Sequence, residues 1–274
     1  TIDNTVLVLG GTGKTGRRVV ERLTKRDVPV RVGSRSGTPP FDWENSSTWA
    51  SVLQDVGAVY MTYQPDLGAP GAAEAVSAFA ELAVASGVRR AVLLSGRNGG
   101  EAQRSEQVFQ DSGLEWTIVR AGWFDQNFSE GFLLGPVLGG EVALPVGDVP
   151  EPFIDADDIA DVVVAVLTEE GHAGQVYELT GPRLLTFAEA VAEIAIASGR
   201  DVRFVQLSVE QYNSGLKAAQ VPDTVVRLLN YLFTTVLDGR NAYLTDGVQR
   251  VLGRKPRDFA EYARATAATG VWTV

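Results

Sequence analysis

Along the first 121 residues the apolar positions switch between two patterns. Short unbroken runs of aliphatic and β-branched side chains predict buried strands over residues 5–9, 28–33, 58–63, 90–95 and 116–121. Between them, apolar residues recur at helical spacing and predict helices over 14–25, where Val19, Val20 and Leu23 share a face, over 72–86 and over 101–112. Gly87 and Gly113 follow the last two as stop signals. A brief helix is expected over 47–53, capped by Ser46 or Ser47, and residues 41–43 are a candidate extra strand. Unbroken apolar strands alternating with helices indicate a parallel sheet with both faces covered. The expected fold class is therefore α/β, a doubly wound parallel sheet of the Rossmann type.

Beyond residue 121 the rhythm changes. Residues 122–150 are rich in Gly, Pro and aromatic side chains and predict a long, mostly irregular connection. A helix is expected over 157–167, with Asp157 and Asp158 in its first turn complementing the helix dipole, and a last strand over 176–179. Helices then dominate, over 186–198, 208–219, 223–237 and 256–269, with one strand near 202–207. The expected division is a larger domain over residues 1–180, to whose substrate cleft 122–150 contribute, and a smaller, mainly helical substrate-side lobe over 181–274.

Composition removes several classes of chemistry. The chain has 274 residues, with 34 Asp and Glu against 24 Lys and Arg, a formal charge of −10. That balance argues against a nucleic-acid partner. The absence of Cys excludes disulfides, thiolate catalysis and Cys-ligated metal. The one His, His172, lies in a turn and is expected to be solvated, so neither a multi-His metal site nor a Ser–His triad is expected. No apolar run approaches the ~20 residues of a membrane helix. Residues 1–11 read as a strand entry without the basic region of a secretion signal, so a cytoplasmic location and no membrane association are expected.

Charge is unevenly spread. Residues 1–40 carry eight basic and three acidic side chains, net +5, whereas 141–200 carry twelve acids and two bases, net −10. A positive segment in a negative chain suggests a local anion site. Arg17, Arg18, Arg22 and Arg26 are nevertheless expected on a solvated helix face.

The segment that would hold an anion is explicit. The first strand runs into Gly10-Gly-Thr-Gly13-Lys-Thr-Gly16 and then a helix. A helix N-terminus offers unpaired N–H groups and the positive end of a dipole, and backbone approach to a pyrophosphate needs positions without Cβ, here Gly10 and Gly13. Gly16 lets the helix pack closely on the strand. With a strand before it and a helix after it, the loop predicts dinucleotide binding; a tight turn without ligand is the plainer alternative. NAD binding wants an acid at the end of the second strand, but here the sequence is Arg31-Val-Gly-Ser34-Arg35-Ser36, with no acid before Asp42. Ser34 and Arg35 could bond a 2′-phosphate, with Lys14 assisting, which favours NADP(H). Arg31 is expected to point into solvent and Tyr60 to pack within its strand. Asp42-Trp43 either edge the adenine or mark a strand end.

Reduction of an ordinary ketone needs a proton donor beside the hydride. Short-chain dehydrogenases supply a Tyr and a Lys four residues apart on one helix. None of the seven Tyr here has Lys four residues on, and residues 101–112 contain neither type.

The set Gly10-Gly-Thr-Gly-Lys-Thr-Gly16, Val30-Arg-Val-Gly-Ser-Arg35, Ser112-Gly-Leu-Glu-Trp-Thr-Ile-Val-Arg120, Trp123-Phe-Asp-Gln-Asn127 and Phe153-Ile-Asp-Ala-Asp-Asp-Ile-Ala160 resembles the NmrA-like atypical short-chain dehydrogenase/reductase family. Tyr177-Glu-Leu-Thr-Gly-Pro182 and Leu252-Gly-Arg-Lys-Pro-Arg-Asp-Phe259 extend the likeness almost to the end of the chain. That family includes triphenylmethane-type reductases, type 2 quinone oxidoreductases, isoflavone-reductase-like enzymes and non-catalytic redox sensors. The resemblance implies an NADP(H)-binding larger domain and a smaller substrate lobe with the site in a cleft between them. It implies that Gly10, Thr12, Gly13, Lys14 and Thr15 face the pyrophosphate and Ser34 and Arg35 the 2′-phosphate. Tyr63 and Gln64 are then placed near the ribose, Ser95 and Gly96 beside the nicotinamide, and Ala121, Gly122 and Trp123 on its other side. In many relatives a basic residue precedes the glutamate matched by Glu106; its place here is taken by Ala102. Arg104 is a nearby substitute whose pKa is too high for proton transfer. No catalytic residue is assigned.

Without that acid, an electrophilic acceptor such as a quinone or a cationic dye is expected, reduced by proximity and orientation in a flat apolar pocket. Trp123, Phe124, Asn127, Phe128 and Phe132 are candidate pocket residues, with Leu133 beside them. Ordinary core packing is the alternative for each aromatic and helix capping for Asn127; Gln126 could equally hold the carboxamide. The leading expectation is an NADPH-dependent reductase of small, flat, electron-poor molecules. A non-catalytic NADP(H) sensor acting through a protein partner is the rival, and a tailoring reductase of aromatic secondary metabolism a third reading.

Overall fold

The computed structural model describes residues 5–97 and 99–274; the strand entry expected at residues 1–4, and Asn98, lie outside the described residues. In chain order the elements are β1 (Val6–Leu9), α1 (Lys14–Lys25), β2 (Val30–Gly33), α2 (Trp49–Leu53), β3 (Ala58–Met61), α3 (Ala72–Ala85), β4 (Arg90–Gly96), α4 (Glu101–Gln110) and β5 (Glu115–Ala121). There follow α5 (Leu134–Gly139), β6 (Glu141–Leu144), α6 (Ala156–Thr168), β7 (Gln175–Leu179), α7 (Phe187–Ser198) and β8 (Arg203–Gln206). The last are α8 (Val209–Ala218), α9 (Asp223–Tyr231), α10 (Gly247–Leu252) and α11 (Phe259–Ala268).

The chain forms two units, both discontinuous in sequence. The first comprises residues 1–121, 156–179 and 246–255. Its six strands lie in the order β2-β1-β3-β4-β5-β7, all parallel, so the order reverses at β1, between β2 and β3. Leu7, Leu9, Val59, Met61, Leu93 and Ile118 are buried with Phe79 of α3 and Phe109 of α4. Val8, Tyr60, Val92 and Val119, which alternate with them, are also fully buried. Both faces are thus covered, as unbroken apolar strands require. Arg31 is not directed into solvent as expected. Its guanidinium donates to the carbonyls of Val52 (2.7 Å) and Gln54 (2.6 Å), tying β2 to the end of α2.

The α1 face expected to be solvated is partly paired. Arg18 reaches Asp157 (3.1 Å), and Arg22 reaches Asp157 (2.9 Å) and Asp161 (2.6 Å), all on α6. Arg254 bonds Asp158 (2.8 Å) and Asp161 (2.7 Å) of the same helix. Asp157 and Asp158 do occupy the first turn of α6.

The second unit comprises residues 122–155, 180–245 and 256–274. Its core gathers Phe128, Phe153, Phe187, Phe259, Tyr262 and Trp272. A parallel pair, β6 with β8, runs in register from Glu141↔Arg203 to Leu144↔Gln206. Thr186 with Glu189 and Ser208 with Gln211 form reciprocal caps that start α7 and α8.

Several expectations are corrected. Residues 122–150 are not mostly irregular: they hold a 3-10 turn (Asp125–Phe128), α5 and β6. Residues 41–43 form no strand, because the Asp42 carbonyl accepts from the Trp49 indole (2.9 Å) and Phe41 and Trp43 pack into a ring cluster with Phe79. The helix near 47 begins with a 3-10 turn (Ser46–Thr48) capped by the Asn45 side chain, not by Ser46 or Ser47. Residues 223–237 divide into α9 and a π-helical turn, Leu232–Val236. Helix α10 was not expected. Where a single boundary at 180 is expected from sequence, the chain passes between its two units five times, once at 179/180.

Candidate functional site

Every strand of the six-stranded sheet runs the same way, so their carboxyl ends share one edge. The segments beyond Leu9, Gly33, Met61, Gly96 and Ala121 therefore bring the expected coenzyme residues of the first unit together. Ligands of open α/β sheets bind outside this edge, where strand order reverses.

The glycine loop has the geometry a phosphate cradle needs. Gly10 sits at φ +63°, and a Cβ there would lie 2.5 Å from Thr62 Oγ1. A Cβ on Gly16 would lie 2.0 Å from the Gly10 carbonyl oxygen, so only glycine lets α1 start this close to the turn. Gly13 is the N-cap of α1 in extended conformation and has no side chain to satisfy the first-turn amides. Those amides point outward along the helix axis, ready for an anion.

Thr15 is buried, and its hydroxyl is bonded inward to Tyr60 (2.9 Å). Tyr60 lies fully buried under the loop rather than simply packing within β3, and burial pushes its phenol pKa up. Thr12 is exposed and Lys14 half-buried.

Beyond β2, the amides of Gly37 (3.0 Å) and Phe41 (2.8 Å) donate to the Ser34 carbonyl and fold the loop into a turn. Ser34 Oγ lies 3.3 Å from Ser36 Oγ. Arg35 is exposed and has no hydrogen bond or ion pair among the described residues. Tyr63 is half-buried against Trp43, at 5.1 Å between ring centroids, and burial first, then Glu44 and Glu74, raises its pKa. The Trp43 indole donates to the Thr62 carbonyl (2.9 Å). Gln64 is exposed.

Ser95 and Gly96 end β4. The Ser95 hydroxyl is buried and lacks a hydrogen-bond partner among the described residues. An orphaned buried hydroxyl costs about 1–3 kcal/mol, a cost that a ligand at this edge would relieve. Next to it, Arg97 is fully buried and paired with Glu178 (2.6 Å). On α4, Ala102 is buried. Glu106 is held in a two-point pair by Arg120 (2.6 and 2.9 Å). Arg104 is engaged by Glu74 on the surface, so it offers no substitute acid.

In the second unit, Trp123 is almost buried and stacks on Phe233 at 5.3 Å and 28°. Phe124 is half-buried in a bridge with Ile154, and Asn127 is half-buried. Phe128 is fully buried among Phe153, Phe187 and Phe259, and Leu133 is buried too. Phe132 is 46% exposed. The structure thus separates two neighbours that the sequence treats alike: Phe128 packs as core, whereas Phe132 stands at the surface.

Sequence reasoning missed the Thr15–Tyr60 bond, the Arg97–Glu178 pair and Phe233. Each joins residues far apart in the chain, and none leaves a local signal. His172 is half-buried rather than fully solvated, and its Nδ1 lies 2.8 Å from the Tyr177 hydroxyl. Among the described residues no group of three or more His, Asp or Glu side chains could hold a metal ion, and no helix is long and apolar enough to cross a membrane.

A family model described as NAD(P)H-binding matches residues 40–170. The NAD(P)H azoreductase of Xenophilus azovorans is 30% identical to this chain, over 96% of it and 98% of the azoreductase. In structure, the chain is similar to the NADPH-dependent quinone oxidoreductase of Escherichia coli complexed with NADPH (TM-score 0.79, 22% identity, 95% of this chain and 99% of that one). It is also similar to NmrA, a negative transcriptional regulator, in complex with NAD (TM-score 0.73, 18% identity, 100% of both).

Proposed function

The chain belongs to the NmrA-like atypical short-chain dehydrogenase/reductase family, whose members bind NAD(P)H, and from that premise we propose that it is an NADPH-dependent reductase of small, flat, electron-poor acceptors such as quinones or azo-linked aromatics. The observation that carries this reading is at the end of β4. A buried Ser95 hydroxyl without a partner among the described residues lies at the sheet edge, while α4 has neither the Tyr-Lys pair nor a basic residue at Ala102. Such an edge can orient and hydrogen-bond, but among the described residues α4 supplies no proton donor to it, which favours an acceptor that is electrophilic already.

The residues fit an NADP(H) coenzyme, as the closed spaces around Gly10 and Gly16 and the orphaned Ser95 hydroxyl indicate. The amides at the start of α1 hold its pyrophosphate, Ser34 and Arg35 its 2′-phosphate, and Tyr63 and Gln64 flank its ribose. When bound, the coenzyme supplies the hydride. Ser95, at the end of β4, would donate a hydrogen bond to the nicotinamide ring, and Ala121 and Gly122, having little side chain, would leave it space beside the end of β5. Product oxygens or nitrogens take their protons from water. The experiment is oxidation of NADPH and NADH with a panel of quinones and azo dyes. Turnover faster with NADPH is expected; tight NADPH binding with no turnover on any acceptor would sink the reductase reading.

Ala102 favours a second reading, in which the chain binds NADP(H) and reports redox state to a protein partner without chemistry. NADP+ and NADPH would then bind with clearly different affinities in the absence of any acceptor.

A further inference from the structure

The glycine loop is tied to the strand on either side of β1, and the two ties differ in kind. On the β2 side the tie is backbone: the Gly10 amide donates to the Gly33 carbonyl (2.9 Å), a bond open to any residue with an N–H. On the β3 side the ties are hydroxyls. At the loop's entry, the Thr62 hydroxyl donates to the Leu9 carbonyl (3.2 Å) and stands 2.5 Å from where a Cβ on Gly10 would lie. At its exit, the Tyr60 hydroxyl lies 2.9 Å from Oγ1 of Thr15, in the first turn of α1.

Packing alone does not call for a tyrosine at position 60. Its ladder neighbours are Val8 on β1 and Val92 on β4, and all three side chains are fully buried. A hydroxyl in such a row is costly unless it is bonded, and among the described residues Thr15 Oγ1 is the hydrogen-bond partner that Tyr60 has. Thr15 is itself buried, so the need is mutual. A matched pair of buried hydroxyls adds little net stability over two apolar side chains of the same shape, whereas stranding one of them is costly. What the pair fixes is place: it sets where residue 15 stands relative to β3. Gly13 gives α1 no side-chain cap, so the aim of the first-turn amides depends on how the helix is seated. Tyr60 is too deeply buried to touch a coenzyme and acts through Thr15.

We propose that Tyr60, through Thr15, is a positioning residue for the coenzyme's pyrophosphate: the hydroxyl pair seats the start of α1 against β3 and so aims the first-turn amides. The proposal rests on the coenzyme reading, and binding tests it without turnover. NADPH and NADH are titrated calorimetrically into wild type, Tyr60→Phe, Thr15→Val and the double variant, and melting temperatures are taken on the same proteins without coenzyme. Tyr60→Phe weakens both coenzymes alike, about tenfold, because both carry the pyrophosphate. A lost 2′-phosphate contact would instead weaken NADPH alone. Thr15→Ser, which keeps the hydroxyl, retains wild-type affinity. Each of the variants Tyr60→Phe and Thr15→Val strands one buried hydroxyl and melts below wild type. The double variant strands neither and melts near wild type, yet its affinity stays at that of Tyr60→Phe. Recovery of affinity along with melting temperature in the double variant would show that the pair is packing only and would overturn the proposal. Affinity losses that add across the two single variants would also overturn it, since Thr15 would then meet the coenzyme independently of Tyr60. Unchanged affinity in Tyr60→Phe would overturn the positioning role and leave the coenzyme reading intact, whereas wild-type protein that binds neither coenzyme would overturn both.

Discussion

On the proposed function, Arg35 is where coenzyme choice would be decided. It is exposed, it has no partner to give up among the described residues, and no acid stands between it and Asp42 to repel a phosphate. Hydrogen bonds to charged groups contribute about 1.5–3 kcal/mol, so Arg35→Ala should raise the NADPH dissociation constant roughly 10- to 100-fold and leave that of NADH unchanged. Calorimetric titration with both coenzymes reads this directly, and an unchanged preference would refute the role. Ser95 makes a different prediction. Removing an unpartnered buried hydroxyl should leave the unfolding midpoint of Ser95→Ala unchanged or raised, while kcat with a good acceptor falls about tenfold, the worth of one hydrogen bond of about 1.4 kcal/mol. A structural hydroxyl would behave the other way, losing midpoint and keeping kcat. The expectation for Arg35 comes from a local signal, a base where an acid is wanted, and the titration is what tests it. The state of Ser95 was not legible, because whether a hydroxyl finds a partner depends on what other strands and helices bring to it.

At the scale of elements, legibility follows the reach of the forces involved. Helix α1 appears over the residues that its apolar spacing and glycine boundary indicate. Strand β6, by contrast, is four residues between Gly140 and Pro145, and exists only because β8, some sixty residues on, completes its ladder. Helix α10 depends on Gly247, where a Cβ would lie 2.2 Å from the Glu178 carbonyl oxygen of β7. The close start of α1 is equally strict: Gly16→Ala forces a methyl group onto backbone that cannot move away, so NADPH affinity and thermal stability should fall together. Wild-type affinity in that variant would show that the loop has room to give. The pairing of α1 with α6 carries a pH signature. Burial opposes ionisation of Asp157, but Arg18 and Arg22 outweigh it and hold its pKa below the ordinary 3.8. A folded-state pKa below the unfolded one gives stability that is complete above about pH 4 and drains away as pH falls through and below that value. Asp157→Asn should therefore lower the melting temperature at neutral pH and narrow its gap to wild type as the solution is acidified toward pH 3; a gap constant with pH would mean the ion pairs contribute nothing.

For the whole molecule, the division into units was only partly legible: the change of composition after residue 121 and the expected boundary at 180 both fall at unit changes, whereas nothing in the sequence marks the returns at 156 and 246 or the last passage at 256. The charge distribution was legible, and it leads to the last prediction. A chain of net charge −10 must bind a coenzyme that is itself a polyanion, and the opposing field is offset by the +5 of residues 1–40, which include the glycine loop and Arg35. The attraction is local and partly solvent-exposed, so salt screens it over about 8–10 Å at ordinary ionic strength. A ligand that binds only the folded state stabilises it by about 2.7 kcal/mol at a hundred times its dissociation constant, or roughly 5–10 °C in melting temperature for a chain of this size. NADPH should produce that shift at low salt, and NADH at the same concentration a smaller one. Raising the salt should shrink the NADPH shift toward the NADH value, because the extra phosphate is what the exposed guanidinium holds. Equal shifts for the two coenzymes at low salt, or an NADPH shift indifferent to salt, would mean that the positive segment does not receive the phosphate and that the coenzyme is held by packing alone.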